Sequence, residues 1–192
     1  MKLNELKITR LAAVGGLSML VVCATIARAD GGAGEGFYLG TDAGLNILEG
    51  NKNVRTEPGV RWDLEGGYGF KLSPQLTLAP ELEAGWIYNN LRHTGEINQI
   101  PLLCNFVLNA HLGKWVPYFG LGGGGDIINA SSGKGGGYSN MDLALQAQAG
   151  VRYMVTDHFD VGVGYKYLVD FLEHRGETAS DNSFLLSASY HF

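Results

Sequence analysis

Period-two alternation of apolar and polar residues recurs along most of this chain. From Val60 to Phe70 one set reads Val60, Trp62, Leu64, Tyr68, Phe70, and the other reads Arg61, Asp63, Glu65 and glycine. Successive strand side chains point to opposite faces, so this spacing predicts a strand with one greasy and one charged face. Leu76, Leu78, Leu82, Trp86 and Tyr88 oppose Thr77, Glu81, Glu83 and Asn89 in the same way, and Phe159 to Phe171 sets aromatic and Val residues against Asp160, Lys166 and Asp170. Weaker copies start near Phe37, Leu102, Phe119, Leu143 and Phe184, giving eight predicted strands. No helix-period stripe of useful length interrupts them.

The links between these strands alternate in length. Short ones fall at Lys71–Gln75, around Gly113–Trp115 and at Thr156–His158; longer polar ones fall at Leu48–Glu57, Asn90–Glu96, Ala130–Asn140 and Glu173–Asn182. Short turns on one rim and longer loops on the other is the layout of a transmembrane barrel. In hydrocarbon each unpaired backbone polar group costs several kcal/mol, so a spanning sheet must close on itself. Each strand has roughly the 9–11 residues needed to cross at a tilt. The expected fold is all-β: an eight-stranded antiparallel up-and-down transmembrane β-barrel. Tyr38, Tyr88, Tyr118, Tyr153, Tyr190 and Phe192 sit near strand ends and are expected to form the interfacial girdles. A soluble lipocalin-like barrel would invert the faces, crowding Trp62, Tyr68, Trp86 and Tyr165 inside, and is the lesser reading.

The first 29 residues follow another pattern. Lys2, Lys7 and Arg10 precede an apolar run from Leu11 to Ile26, and Ala27-Arg28-Ala29 presents a small-x-small cleavage pattern. Residues 1–29 are expected to be a cleaved signal peptide and 30–192 the barrel. A retained anchor helix is the alternative, and Val22 before Cys23 disfavours a lipoprotein. Cleavage removes Lys2, Lys7, Arg10, Arg28 and Glu5, leaving 10 basic and 18 acidic residues, formally −8. That acidity argues against nucleic acid as a partner. Only Cys104 remains, on the apolar face where a buried thiol is usual, so no internal disulfide is possible. The chain's 29 glycines sit among aromatics and alternating polarity, which suits a tightly curved sheet better than a disordered chain.

With the strands in place, the chain resembles the small outer-membrane barrel superfamily of opacity-type surface proteins and the OmpA barrel. Pro117-Tyr118-Phe119-Gly120-Leu121-Gly122-Gly123-Gly124 looks like its Pro-Tyr-x-Gly-x-Gly-x-Gly strand, and Val161 to Tyr167 resembles its penultimate strand. Asn182 to Phe192 is similar to its closing strand, and the resemblance implies that Tyr190 and Phe192 form the signal read by the barrel-assembly machinery. The family's loops diverge freely, so function does not follow from the resemblance; the partners expected, from membrane placement and four polar outer loops, are outer-membrane lipid and lipopolysaccharide and a surface or host ligand.

The polar face, assigned to the lumen, places Arg61, Asp63, Glu65, Glu81, Glu83, Asp126, Arg152 and Lys166 in an interior charge network, with Asp42, Asp160 and Asp170 inside or near the rims. An eight-stranded barrel is just wide enough for side chains to fill it, so a structural ion-pair plug is expected. A narrow channel is the alternative. The lipid A deacylase of this superfamily carries a His-x-Ser-Asn run before its last strand; His174-Arg175-Gly176-Glu177 stands there without the serine or asparagine. A palmitoyltransferase-like set from His174, Asp181 and Ser183 rests on proximity in sequence alone. The five histidines show no close pairing, so no metal or other cofactor is expected. Gly122 to Gly125 lacks the following Lys-Ser/Thr of a phosphate loop and is expected to give space to a neighbouring backbone or bulky ring. Residues Ala130 to Tyr138 are expected to be a flexible surface loop. The resulting functional expectation is a non-enzymatic surface barrel with a structural and adhesion-like role.

Overall fold

The computed structural model describes residues 34–49, 57–91, 95–132, 136–172 and 177–192. The leader, Cys23, His93 and His174 lie outside them. Eight strands follow in order: β1 Gly36–Glu49, β2 Gly59–Ser73, β3 Leu76–Leu91, β4 Gly95–Ala110, β5 Trp115–Ser132, β6 Gly136–Met154, β7 Phe159–Leu172 and β8 Glu177–His191. Each pairs antiparallel with its neighbours in sequence, and β1 pairs with β8, so the sheet is a closed barrel. The seam runs from Tyr38↔His191 to Glu49↔Ser180, and the Phe192 N–H donates to the Phe37 carbonyl at 2.9 Å. The last residue is therefore part of the closure.

Side-chain parity follows the alternation read from the sequence. Leu45, Trp62, Leu64, Leu82, Phe106, Leu121, Leu143, Val163 and Leu186 are exposed on the outside, and the charged set is buried within. Such an apolar exterior is stable only against lipid. Three short turns, at Pro74–Gln75, 111–114 and 155–158, share one rim with both ends of the barrel domain. This is the inner rim, as barrels of this kind place their short turns on the periplasmic side.

Three expectations are corrected here. Tyr38 and Tyr118 are only 5% and 6% exposed and point into the lumen, because they share parity with Asp42 and Asp126. Tyr88, Tyr153, Tyr190 and Phe192 do face outward, and Trp115–Tyr153 and Tyr190–Phe192 pack at 4.9 and 5.1 Å on the inner rim. Cys104 is exposed on the lipid-facing wall instead of buried in protein. The expected loop at Ala130–Tyr138 is mostly strand: Ala130↔Tyr138, Ser131↔Gly137 and Ser132↔Gly136 continue the β5–β6 ladder. Backbone pairing needs no apolar side chains, so the ladder persists where the greasy pattern stops. For the same reason β3, β4 and β8 run into the links expected at Asn90–Glu96 and Glu173–Asn182.

Two interior prolines mark local breaks. Between Gly67↔Glu81 and Phe70↔Leu78 the β2–β3 ladder is interrupted at Pro80, and between Ala84↔Leu102 and Ile87↔Gln99 the β3–β4 ladder is interrupted at Pro101. Proline has no N–H to donate, and the closed sheet bridges each gap. The β5 glycines give space in part to a neighbouring backbone, as predicted, and in part to other side chains. A Cβ at Gly122 would meet the Asn105 side chain, and one at Gly124 the Leu102 carbonyl. The bulky rings lie elsewhere: the Tyr118 hydroxyl sits over Gly150 and Gly164.

Candidate functional site: the charged lumen

The eight charged residues predicted for the interior all reach the lumen, stacked in layers along the axis. In the central layer Arg61 and Lys166 are each 1% exposed, yet both are long and charged. Arg61 Nε donates to Asp63 at 2.8 Å, and its Nη2 reaches both Glu83 and the Gln146 carbonyl oxygen at 2.7 Å. Lys166 Nζ contacts Asp42 at 2.7 Å, Asp63 at 3.0 Å, Glu83 at 3.1 Å and Glu65 at 3.6 Å. Two cations on β2 and β7 are thus shared among carboxylates from three strands, β1, β2 and β3. Ionised groups removed from water require this pairing, because the desolvation cost of an unpaired one is several kcal/mol.

The layer beneath, toward the inner rim, is organised by Arg152. Its guanidinium lies 4.4 Å from the centre of the Tyr118 ring and 6.0 Å from that of Tyr38, and reaches Glu65 at 3.5 Å. Tyr38 donates its hydroxyl to Glu81 at 2.6 Å, while Asn105 Nδ2 bridges Glu81 at 3.0 Å and Glu83 at 2.9 Å. The two tyrosines expected in the girdle are therefore members of the lumenal network, through Glu81 and Arg152. Their parity with Asp42 and Asp126 was the signal that could have placed them.

Oxygens of Glu65, Glu81 and Glu83 converge within 4.8 Å of one another, a spacing that a metal ion could use. Here Lys166, Asn105, Gln146 and Tyr38 already direct positive ends at this trio. The convergence was not legible from sequence.

The layer toward the outer rim contains Asp126 and Asp170, as expected, together with Asp142 and Asp181, which had been assigned no interior role. Asn46, Asn89 and Gln99 lie among them, as do the inward-facing Leu48 and Ile128, and an apolar cluster of Ile87, Leu103, Ala144 and Leu168 also fills part of the lumen. Asp181 accepts from Asn46 and Gln99, and Ser183 donates to Asn46 at 2.6 Å. Asp160 lies apart at the inner end, 2.6 Å from His191. Tyr190 and Phe192 sit on the exterior at the inner rim, half exposed, away from all of these groups.

A closed barrel with a lipid-compatible wall and a packed polar interior defines an integral protein of the bacterial outer membrane. The sequence profile of the outer membrane protein beta-barrel domain matches residues 16–192, and the chain belongs to that family. No functionally curated protein sequence matches it. Among solved structures it is similar to neisserial surface protein A, at 16% identity and a TM-score of 0.61, over 82% of this chain and 98% of that one. It is also similar to Ail, the attachment invasion locus protein of Yersinia pestis, at 14% identity and a TM-score of 0.54, over 82% of this chain and 99% of that one. The outer membrane enzyme PagL is similar at 14% identity and a TM-score of 0.55, over 77% of this chain and 97% of that one. At such identities the likeness is one of fold, and the fold hosts surface proteins and an enzyme alike.

Proposed function

We propose that this protein is a non-enzymatic surface barrel whose lumen does not conduct and whose outer strand ends and loops contact lipopolysaccharide or a surface ligand. The observation that carries this reading is the central ion-pair layer, where Arg61 and Lys166 are fully enclosed by carboxylates and amides. A continuous water path would have to separate those charges. The exterior supports a surface role: β5 has 18 residues and β6 19, well beyond the 9–11 that a crossing strand needs. Their ladder carries backbone past the lipid. Ser183 supports the non-enzymatic part, because its hydroxyl is engaged with Asn46 and Arg61 and no described histidine approaches it. The assembly role of Tyr190 and Phe192 belongs to the same proposal.

Single-channel recording of the refolded protein in planar bilayers tests the sealed lumen, and no steady conductance is expected. A stable conductance blocked by lumenal plugging would overturn the reading. Mass spectrometry of lipid A from expressing cells is expected to show no change; a new lipid A species would mean an enzyme. For the surface role, cells displaying the barrel should adhere to immobilised lipopolysaccharide or host matrix more than cells whose residues 130–138 are replaced by a two-residue turn. Equal adhesion by both would remove the role assigned to the β5–β6 ribbon.

A further inference from the structure

On the lipid-facing wall a furrow runs obliquely across β1–β4 from the inner rim and encloses about 260 Å³. One edge is a single cross-strand row, Leu39↔Gly66↔Leu82↔Cys104, and the other is the pair Phe37↔Tyr68, with Phe192 beside it at the rim. Across three strand spacings the row is about 14 Å long. The sequence explains the hollow. Gly66 occupies an outward position of β2, between Leu64 and Tyr68, and brings no side chain to the wall. Pro80 stands opposite, where the β2–β3 ladder is interrupted between Gly67↔Glu81 and Phe70↔Leu78. Gly67, facing inward, leaves room for Tyr38: a Cβ there would lie 2.8 Å from the tyrosine hydroxyl and 2.6 Å from the Pro80 carbonyl oxygen. With two residues in succession lacking side chains, the wall thins to backbone, and Tyr38 and Glu81 form the floor of the furrow.

The surroundings decide what fills this space. Phe37, Leu39, Tyr68, Leu82, Cys104 and Phe192 line it with carbon and sulfur, and an apolar hollow of this size excludes water and takes up apolar molecules instead. The floor calls for no polar ligand, because its polar atoms are already paired: Tyr38 donates to Glu81 at 2.6 Å, and the other Glu81 oxygen accepts from Asn105 at 3.0 Å and Gln148 at 3.3 Å. The mouth is continuous with the wall that faces hydrocarbon, so what enters comes from the bilayer. It begins at the inner rim, beside the Tyr190–Phe192 ring pair, which places it in the inner leaflet. Its sides are held in place by ring packing, Phe37 on Tyr68 at 4.8 Å and Tyr68 on Phe70 at 4.7 Å. Within lipid, association rests on close van der Waals contact and not on release of water, and a preformed furrow offers a chain that contact without rearrangement.

We propose that the β1–β4 furrow holds one acyl chain of an inner-leaflet phospholipid as a fixed ligand of the barrel, distinct from the exchanging lipid around the rest of the wall. Neither the sealed lumen nor the outer surface contacts enter this argument, and the site stands or falls without them.

Photo-crosslinking tests this, with the full barrel refolded into vesicles of phosphatidylethanolamine and phosphatidylglycerol that include phosphatidylethanolamine bearing a diazirine on one acyl chain. Adducts mapped by peptide mass spectrometry should be about tenfold more frequent at Leu39, Leu82 and Cys104 than at Leu145 and Val163 on the far wall, as a held chain keeps its contacts and a passing one does not. Gly66→Leu fills the furrow next to the flexible end of Leu39 and should abolish the excess. Cys104→Phe fills it from the other end and should do the same, read at Leu39 and Leu82, which guards against a folding defect in either variant. Ala149→Leu, on the outward face of β6, should leave the excess unchanged. Each protein is first checked for heat-dependent migration on gels as proof of closure. Uniform labelling of the wild-type wall, or an excess that survives both filling variants, would overturn the site. Oxidative cross-linking of Cys104 between two barrels would assign the furrow to a second copy of the chain and overturn it equally.

Discussion

The inner and outer parts of the lumen are built from the same strands and lined by the same residue classes, yet they balance charge differently. Toward the centre and inner rim, Asp42, Asp63, Glu65 and Glu83 share Arg61, Arg152 and Lys166 at 3.6 Å or less, and Glu81 accepts from Tyr38, Asn105 and Gln148. Toward the outer rim Asp142, Asp170 and Asp181 accept side-chain hydrogen bonds from amides and make no ion pair within 4 Å among the described residues. The closed ladder explains how both survive in one fold. Backbone pairing and the lipid-facing wall determine the barrel, and the lumen is required only to fill its cross-section. What fills it is then free to balance charge in one way at the centre and in another toward the outer rim.

The sharpest way to break this contrast is to remove a central cation. Lys166→Met leaves Asp42, Asp63 and Glu83 facing one another with Arg61 as their remaining close cation, and deleting one partner of a buried ionic cluster costs about 3–5 kcal/mol. Urea unfolding of the refolded barrel, read by gel migration, should show that loss. A variant as stable as wild type would mean that the central carboxylates are already neutral and that the two halves do not differ.

Such a contrast was only partly legible in the sequence. Alternation placed Arg61, Asp63, Glu65, Glu81, Glu83, Asp126, Arg152 and Lys166 on the inward face, because strand parity is a local property. Which of them meet is not local: Ser183 reaches Asn46 across 137 residues of chain, and the stagger between strands sets the layer in which each side chain lands. Asp181 is hidden in the sequence because its neighbours Ser180 and Asn182 are both polar, whereas Asp142, between the outward Met141 and Leu143, falls just before the point at which the β6 alternation becomes regular. Tyr38 and Tyr118 were misplaced for the opposite reason, since aromatic character near a strand end outweighed their parity.

The tyrosine layer offers a second, smaller test. Arg152 has only long contacts to Glu65 and Asn109, at 3.5 and 3.4 Å, and its Nε has no hydrogen-bond partner. The Tyr118 ring at 4.4 Å supplies what those contacts do not. Tyr118→Leu keeps the site apolar and removes the ring's negative face, with an expected loss of about 1–2 kcal/mol. Tyr118→Phe should lose much less, as the face is kept. Equal losses from both would show that volume over Gly150 and Gly164, and not attraction to Arg152, is what the ring provides.

In the outer layer the same type of change should have the opposite sign. Asp126→Asn removes one of two like charges that face each other, so the variant should be as stable as wild type in urea unfolding or more stable by about 0.2–1 kcal/mol. A clear destabilisation would mean that Asp126 already has a favourable partner, and the asymmetry between the two halves would disappear.

The smallest effect lies at the inner rim, outside the crossing strands. Burial first, and the neighbouring His191 second, hold His111 below the ordinary histidine value, and its Nε2 sits 3.1 Å from the Thr77 hydroxyl. As pH falls below about 6.5 the unfolded chain takes up a proton that the folded barrel resists. The unfolded state then binds more protons, so stability declines with falling pH until the folded His111 itself titrates, below which this contribution is constant. Because the ring is only half buried the slope is shallow. His111→Gln keeps a polar partner for Thr77 and should flatten the urea midpoint between pH 7 and 5 relative to wild type. If the two slopes coincide, the acid sensitivity of the barrel resides in its carboxylates, and the inner rim adds nothing to the difference between the two ends of the lumen.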